Sequence, residues 1–150
     1  MRQAIALARH HMDAGHGGPF GAVVVRDDKV IAEGWNRVLD GNDPTAHAEI
    51  VAIRRACEAV GHFSLEGCVL YTSCEPCPMC LAAIYWARLD GVVYAGTRDD
   101  AADAGFDDAF LYRELPLDPD QRTLTMTSML RNEASSVFQA WIEKPDKIPY

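Results

Sequence analysis

Tyr71-Thr72-Ser73-Cys74-Glu75-Pro76-Cys77-Pro78-Met79-Cys80 sets three cysteines and two prolines between an apolar run of strand length and an apolar helical segment. The run Cys68 to Thr72 reads as a strand that delivers the chain to this cluster. From Cys77 to Ala87 the composition is helical, and Pro76 and Pro78 are confined to its start, where missing amide donors cost little. The cluster therefore sits at a helix N-terminus, where the dipole favours thiolates. Gly91 to Tyr94 reads as a further strand, and strand, helix, strand in that order implies parallel pairing through a right-handed crossover. That is an α/β fold.

The preceding chain fits the same class. Arg2 to Ala14 carries apolar residues at helical spacing and stops at Gly15. Ala22 to Val25 and Val30 to Trp35 read as a hairpin turned by Asp27-Asp28, and Arg37 to Asp43 as a loop. A helix follows, capped by Asp43 or Thr45 with Pro44 in its first turn. Ile50, Ile53, Cys57 and Val60 form its apolar stripe, with Arg54, Arg55 and Glu58 towards water, and Gly61 ends it. Beyond Tyr94, Gly96 to Asp108 is expected as loop or short helix and Asp108 to Glu114 as helical. Leu117 to Gln121 reads as a connection, Thr123 to Thr127 as a last strand, Ala134 to Ile142 as a last helix and Lys144 to Tyr150 as a tail.

With 150 residues and 49% hydrophobic content the chain is expected to be one domain, 1–150, able to bury a proper core. Its formal charge of -8, with no basic run, disfavours a nucleic-acid partner. No stretch suits a signal peptide or a membrane span; Arg2 and Arg9 precede the first acid, but this stretch reads as the domain's own first helix, and a cytoplasmic location is expected. Five cysteines, three of them within seven residues, suit metal binding better than disulfides.

Cys77 and Cys80 lie three apart, so on a helix both can reach one ion. His47, one strand and one helix upstream, adds an imidazole, and this mixed N and S donor set suits Zn²⁺ over Mg²⁺ or Ca²⁺. A fourth position is left for a water, whose pKa zinc lowers towards roughly 7. His47-Ala48-Glu49 followed by Pro76-Cys77-x-x-Cys80 matches the zinc-deaminase pattern H-x-E with P-C-x-x-C, in which Glu49 is the proton carrier, base and then acid. Residues two apart on an ideal helix point about 200° from one another, so His47 and Glu49 converge only if the helix entrance is irregular. Cys74 leaves a structural Cys₃His zinc site or part of an iron-sulfur motif open, and a zinc-stapled binding module without catalysis is the non-enzymatic alternative. Cys57 and Cys68 read as small core residues; His10, His11, His16 and His62 read as surface or loop residues.

Over nearly its whole length the chain resembles the bacterial guanine deaminases of the cytidine-deaminase-like superfamily. The resemblance rests on Gly17-Gly18-Pro19-Phe20-Gly21-Ala22, Asn42 to Glu49, Thr72 to Trp86, Ala104-Gly105-Phe106-Asp107-Asp108 and Phe138-Gln139-Ala140-Trp141. It implies a three-layer αβα sandwich with a five-stranded mixed sheet, and a homodimer that exchanges its C-terminal segment. It implies deamination of guanine to xanthine and ammonia, with zinc held by His47, Cys77 and Cys80 and a catalytic water. It implies that Glu49 shuttles protons, that Asn36, Ala48, Asp108 and Tyr150 bind the base, that Phe20 stacks on it and that Trp86 lines the pocket across the dimer; Asp108, able to accept from the base, is also expected to assist proton movement. The tail ending in Tyr150 is expected to close over the pocket as a lid. Other aminated rings (guanosine, cytosine, aminotriazine) and adenosine in transfer RNA remain the alternative substrates, because the metal centre does not choose the ring. The match is poor over residues 115–132.

Overall fold

In the computed structural model residues 1–149 are described, and Tyr150 lies outside them. The chain forms two compact units, Met1–Phe110 and a second from Leu111 onward. Among the described residues no helix is long and apolar enough to cross a membrane.

The first unit is built on a four-stranded mixed sheet in the order β2-β1-β3-β4. Strands β1 (Gly21–Arg26) and β2 (Lys29–Trp35) form the expected hairpin, and both turn residues, Asp27 and Asp28, have positive φ, as the tight primed turn requires. Strand β3 (Cys68–Cys74) pairs antiparallel with β1 and parallel with β4 (Gly91–Gly96), so the crossover read from the sequence is present. The expected fifth strand is absent: Thr123–Thr127 forms no ladder, which corrects the count to four. Its alternating Thr residues have strand propensity, but Glu114 Oε2 accepts from both the Thr123 amide (2.8 Å) and its hydroxyl (2.9 Å), Arg122 donates to the Leu117 carbonyl at 3.0 Å, and the segment runs on from a bend at 122–124 without regular structure.

Two helices pack on opposite faces of this sheet, and close approach fixes both. Helix α1 (Arg2–Asp13) lies on the face of Gly21, where an added Cβ would sit 2.3 Å from the Ala4 carbonyl oxygen. On the other face a Cβ at Gly34 would sit 2.2 Å from the Ala48 carbonyl oxygen of a helix spanning Ala48–Val60. Gly34 pairs with Ala22, the neighbour of Gly21 on β1, and successive strand residues face opposite sides. The main core lies on this second face, where Ala22, Val24, Ala52, Ile53, Cys68 and Leu70 pack together. Cys68 is fully buried as expected, whereas Cys57 is only partly so.

Between β2 and that helix the expected loop contains a short helix, α2 (Val38–Gly41), so the Ala48–Val60 helix is α3. Its start is a second correction. Helix α3 begins with His47 as N-cap, and Asp43, Pro44 and Thr45 belong to a separate turn in which Asp43 Oδ1 accepts from the Thr45 amide at 2.8 Å. Its C-terminal end at left-handed Gly61 is as read. Helix α4 (Pro78–Trp86) starts one residue later than expected, with Cys77 as N-cap. Two short helices, α5 (Arg98–Asp103) and α6 (Ala109–Glu114), follow β4, with α5 opened by a Thr97/Asp100 capping box. In the second unit α7 (Arg131–Glu143) has no buried residue and presents Val137, Phe138 and Ile142 outward.

His10 and His62 are exposed and His16 lies in the loop after α1, as read, whereas His11 is half-buried in a ring stack. His11 stacks on Trp35 with ring centroids 3.7 Å apart and places Nδ1 2.8 Å from His16 Nδ1. The Arg55 guanidinium lies 4.3 Å from the centroid of the same indole and donates to the Glu33 carbonyl at 2.9 Å. The stack packs on the end of β2 and engages the Glu33 carbonyl of that edge strand. His62 is likewise engaged, its Nδ1 accepting from the Ser64 amide at 3.0 Å.

Candidate metal centre and its pocket

Two helix entrances converge beyond the C-terminal end of β3. His47 is the N-cap of α3 at φ -66°, ψ 157°, and Cys77 the N-cap of α4 at φ -64°, ψ 167°; neither makes a side-chain capping bond. Both side chains are thus released from the helix they introduce and turn towards each other, while Cys80 reaches the same point from the first turn of α4. The extended backbone at His47 also removes the angular obstacle set by an ideal helix: His47 leaves from a non-helical residue and Glu49 from the first turn, and the two arrive on one side.

His47, Cys77 and Cys80 form a group that could hold a metal ion, with all ligand atoms within 4.8 Å of one another. His47 Nδ1 lies 3.6 Å from Cys77 Sγ and 3.5 Å from Cys80 Sγ. A tetrahedral zinc with Zn–S of about 2.3 Å and Zn–N of about 2.05 Å separates its N and S ligands by about 3.6 Å, so these residues fit zinc. One of the two thiols already favours its ligating thiolate form. With Cys80 donating to it and His47 beside it, the Cys77 thiol is drawn down to about 4, and Cys80, as the proton-holding partner of that pair, is pushed up. The bond to Cys77 raises His47.

Glu49 is buried, 5% exposed, and burial pushes its carboxyl above the usual range. Oε2 lies 3.5 Å from Cys80 Sγ, and Oε1 accepts from Thr72 Oγ1 at 3.3 Å. Thr72 belongs to the buried stripe Cys68, Leu70, Thr72, Cys74 along β3, the core face running on into the site. Cys74 stands apart from the metal group. Its Sγ donates to the Thr97 carbonyl at 3.4 Å, and burial raises its thiol to about 11.

A cavity of about 110 Å³ opens beside these residues, with Phe20, Asn36 and Asp108 in its walls. Phe106 meets Phe20 edge to face, centroids 4.9 Å apart at 86°, so the aromatic wall is a pair. Asn36 is buried, its Oδ1 accepting from the Gly18 and Val38 amides, each at 3.2 Å. Asp108 is raised by burial and by Cys77, with Arg98 opposing. Glu75 and Arg98 also line the cavity, the Arg98 amide donating to Glu75 Oε2 at 3.2 Å.

Other expected contacts fall elsewhere. Ala48 is fully buried against Gly34 and is not a lining residue. Trp86, expected across a dimer, lies near the end of α4, is 70% exposed and does not line the cavity of its own chain. Tyr150 lies outside the described residues. Thr72 and Phe106 have roles here that their motifs do not assign. Thr72 was findable, since strand alternation puts it on the buried face of Leu70 and Cys74, where a hydroxyl needs a partner. Phe106, Glu75 and Arg98 reach the cavity only through the turn after β3 and the placement of α5, for which the sequence carries no periodic signal.

Comparison with known proteins agrees with this geometry. The chain is 52% identical over 150 residues, all of it and 96% of its relative, to the guanine deaminase of Bacillus subtilis (strain 168). The X-ray structure of guanine deaminase from Bacillus subtilis superposes with a TM-score of 0.97 at 52% identity, covering 99% of this chain and 95% of that one. A tRNA-specific adenosine deaminase of Agrobacterium fabrum is 53% identical over only 81 residues, 54% of this chain and 53% of that protein. Residues 1–96, which contain His47, Glu49, Cys77 and Cys80, match the family model of the cytidine and deoxycytidylate deaminase zinc-binding region. By its sequence and by the arrangement of those four side chains, the chain belongs to the cytidine and deoxycytidylate deaminase zinc-binding family.

Proposed function

We propose that the protein is a zinc-dependent guanine deaminase, converting guanine and water to xanthine and ammonia. The reading is carried by one observation: the His47/Cys77/Cys80 group and the Glu49 carboxylate open onto a small cavity walled by Phe20, Asn36 and Asp108, in a chain 52% identical from end to end to a guanine deaminase. Zinc held by His47, Cys77 and Cys80 supplies a water made nucleophilic at neutral pH.

The chain's own groups do the rest. Glu49, with Oε1 steadied by Thr72, takes a proton from the attacking water and passes it to a ring nitrogen next to the amino-bearing carbon. The second proton goes to the amine, which leaves as ammonia while the oxygen stays on the ring. A raised carboxyl pKa suits a group that must accept and then return a proton. Asn36 donates to a ring acceptor, Asp108 accepts from a ring N–H and assists proton movement, and Phe20 stacks on the base. Once the pocket is closed over the base, bulk water would be excluded and these dipoles would act at low dielectric.

The working unit in this proposal is a cytoplasmic homodimer exchanging its C-terminal segment, with Trp86 and Tyr150 completing the pocket. Apolar surface supports it: Tyr85 and Trp86 on α4 are exposed, as are Val137, Phe138 and Ile142 on α7. The charge of -8 speaks against an RNA substrate. The test is incubation of zinc-loaded protein with guanine, following xanthine and ammonia, with cytosine, guanosine and an adenosine-containing tRNA hairpin in parallel and Glu49→Gln as control. Guanine turnover lost in the variant is expected; turnover of another ring alone would overturn the substrate assignment.

A further inference from the structure

The loop between α1 and β1 contains three glycines that are there for different reasons. Gly15 has φ +77° and nothing within 4 Å of an added Cβ, so it serves the backbone turn. Gly17 and Gly18 have no left-handed φ. At Gly17 an added Cβ would lie 2.4 Å from Asn36 Oδ1 and 2.5 Å from the Asn36 carbonyl oxygen. At Gly18 it would lie 3.1 Å from Phe106 Cε1 and from Phe20 Cε2. Absence of a side chain, not conformational freedom, is what these two positions supply.

We propose that Gly17-Gly18 is a specificity-determining element of the pocket, in which Gly17 sets the orientation of the Asn36 amide and Gly18 the separation of the Phe20/Phe106 wall. The proposal rests on the functional reading above for its substrate. The amide has one orientation compatible with its neighbours, because two backbone N–H groups, of Gly18 and Val38, point at Oδ1. A flipped amide would set its NH₂ against both donors. Asn36 therefore presents Nδ2 as a donor, and the site selects a ring with an acceptor at that point. The contact that holds this orientation requires the loop backbone to lie against Asn36, which only glycine at position 17 permits. Gly17 and Gly18 touch no reacting atom; they are positioning residues.

Two double-mutant cycles on the zinc-loaded full chain test the assignment, reading kcat and KM separately for guanine along with bound zinc and Tm. Gly17→Ala is expected to raise KM about tenfold, the scale of one lost neutral hydrogen bond, with kcat within threefold and zinc unchanged. On an Asn36→Ala background the same change keeps its clash with the carbonyl of residue 36 but has no amide left to misorient, so its effect on KM is expected to be clearly smaller than in the parent. Gly18→Ala meets only ring atoms, which can yield by a few tenths of an ångström, so it keeps the test open should Gly17→Ala not fold. It is expected to raise KM severalfold in the parent and to have a smaller effect on a Phe106→Leu background, where the Phe20 contact alone remains. Unchanged KM in both single variants, or full additivity in both cycles, would overturn the proposal. Absence of guanine turnover by the unmutated protein would instead remove the substrate reading, and the cycles would then be run on whichever aminated ring is turned over.

Discussion

Replacing Gly34 by alanine links packing to chemistry through a single methyl group. The new Cβ would fall 2.2 Å from the Ala48 carbonyl oxygen, 2.5 Å from the Ala52 amide nitrogen and 2.9 Å from the Ala52 Cβ. Ordinary contact begins at 3.4 Å, so strand and helix must separate by 3.4 − 2.2 = 1.2 Å at the closest point. Overpacking of this kind costs about 1–3 kcal/mol. For a chain of this size that lowers Tm by about 2–12 °C. Ala48 lies between His47 and Glu49, so the displacement is delivered to one zinc ligand and to the proton carrier at once. A shift of about 1 Å in a reacting group costs on the order of 10²-fold in rate, so kcat/KM should fall by that factor and zinc should bind more weakly. Gly21→Ala is the control. Its Cβ would come 2.3 Å from the Ala4 oxygen, an equal insult, but α1 carries no site residue. Thermal unfolding of both variants with zinc content and steady-state kinetics decides the matter. Equal Tm losses with kcat/KM lowered mainly in Gly34→Ala are expected; equal kinetics in the two, or a Gly34→Ala protein indistinguishable from the parent, would refute the argument that this approach registers α3 on the sheet.

Other expectations follow from the site and its surroundings. Glu49→Gln keeps shape and zinc but should lower kcat by about 10²–10⁴-fold, measured against unchanged zinc stoichiometry. Asp108→Asn should also lower kcat by a large factor if its carboxylate assists proton movement; steady-state kinetics with normal kcat would restrict it to binding. Chelation of zinc should abolish turnover and Zn²⁺ restore it, because His47, Cys77 and Cys80 are the only such donor group among the described residues. His11 is held below the usual imidazole range by burial, and by His10, His16 and Arg55, with Asp40 opposing. Its folded-state pKa lies below its unfolded value, so its contribution to stability is complete above about 6.5 and is lost as pH falls through the folded value. His11→Phe, which keeps the stack on Trp35, should flatten the acid side of a Tm-against-pH curve.

Much of this protein follows from residue types at short range. Strand periodicity, the Asp27-Asp28 turn, the left-handed Gly61 and the strand-helix-strand order specify the hairpin, helix α3 and the parallel β3–β4 pair, because each is a local backbone preference. His-x-Glu and Pro-Cys-x-x-Cys named the donor set, since zinc chemistry restricts which side chains can serve. Tertiary structure decided what depends on partners far along the chain. The extended N-caps at His47 and Cys77 bring two helix entrances together and let His47 and Glu49 share a side, a placement that no helical wheel contains. Thr123–Thr127 has strand composition, yet Glu114 takes the Thr123 amide and hydroxyl and the segment joins no ladder, so composition alone is not enough there. Phe106 became a wall of the cavity, His11 a stacked ring on Trp35, and Gly17 a support for Asn36 only when segments many residues apart met. Local preferences are written in neighbouring residues; close approach is a property of pairs that the sequence does not pair.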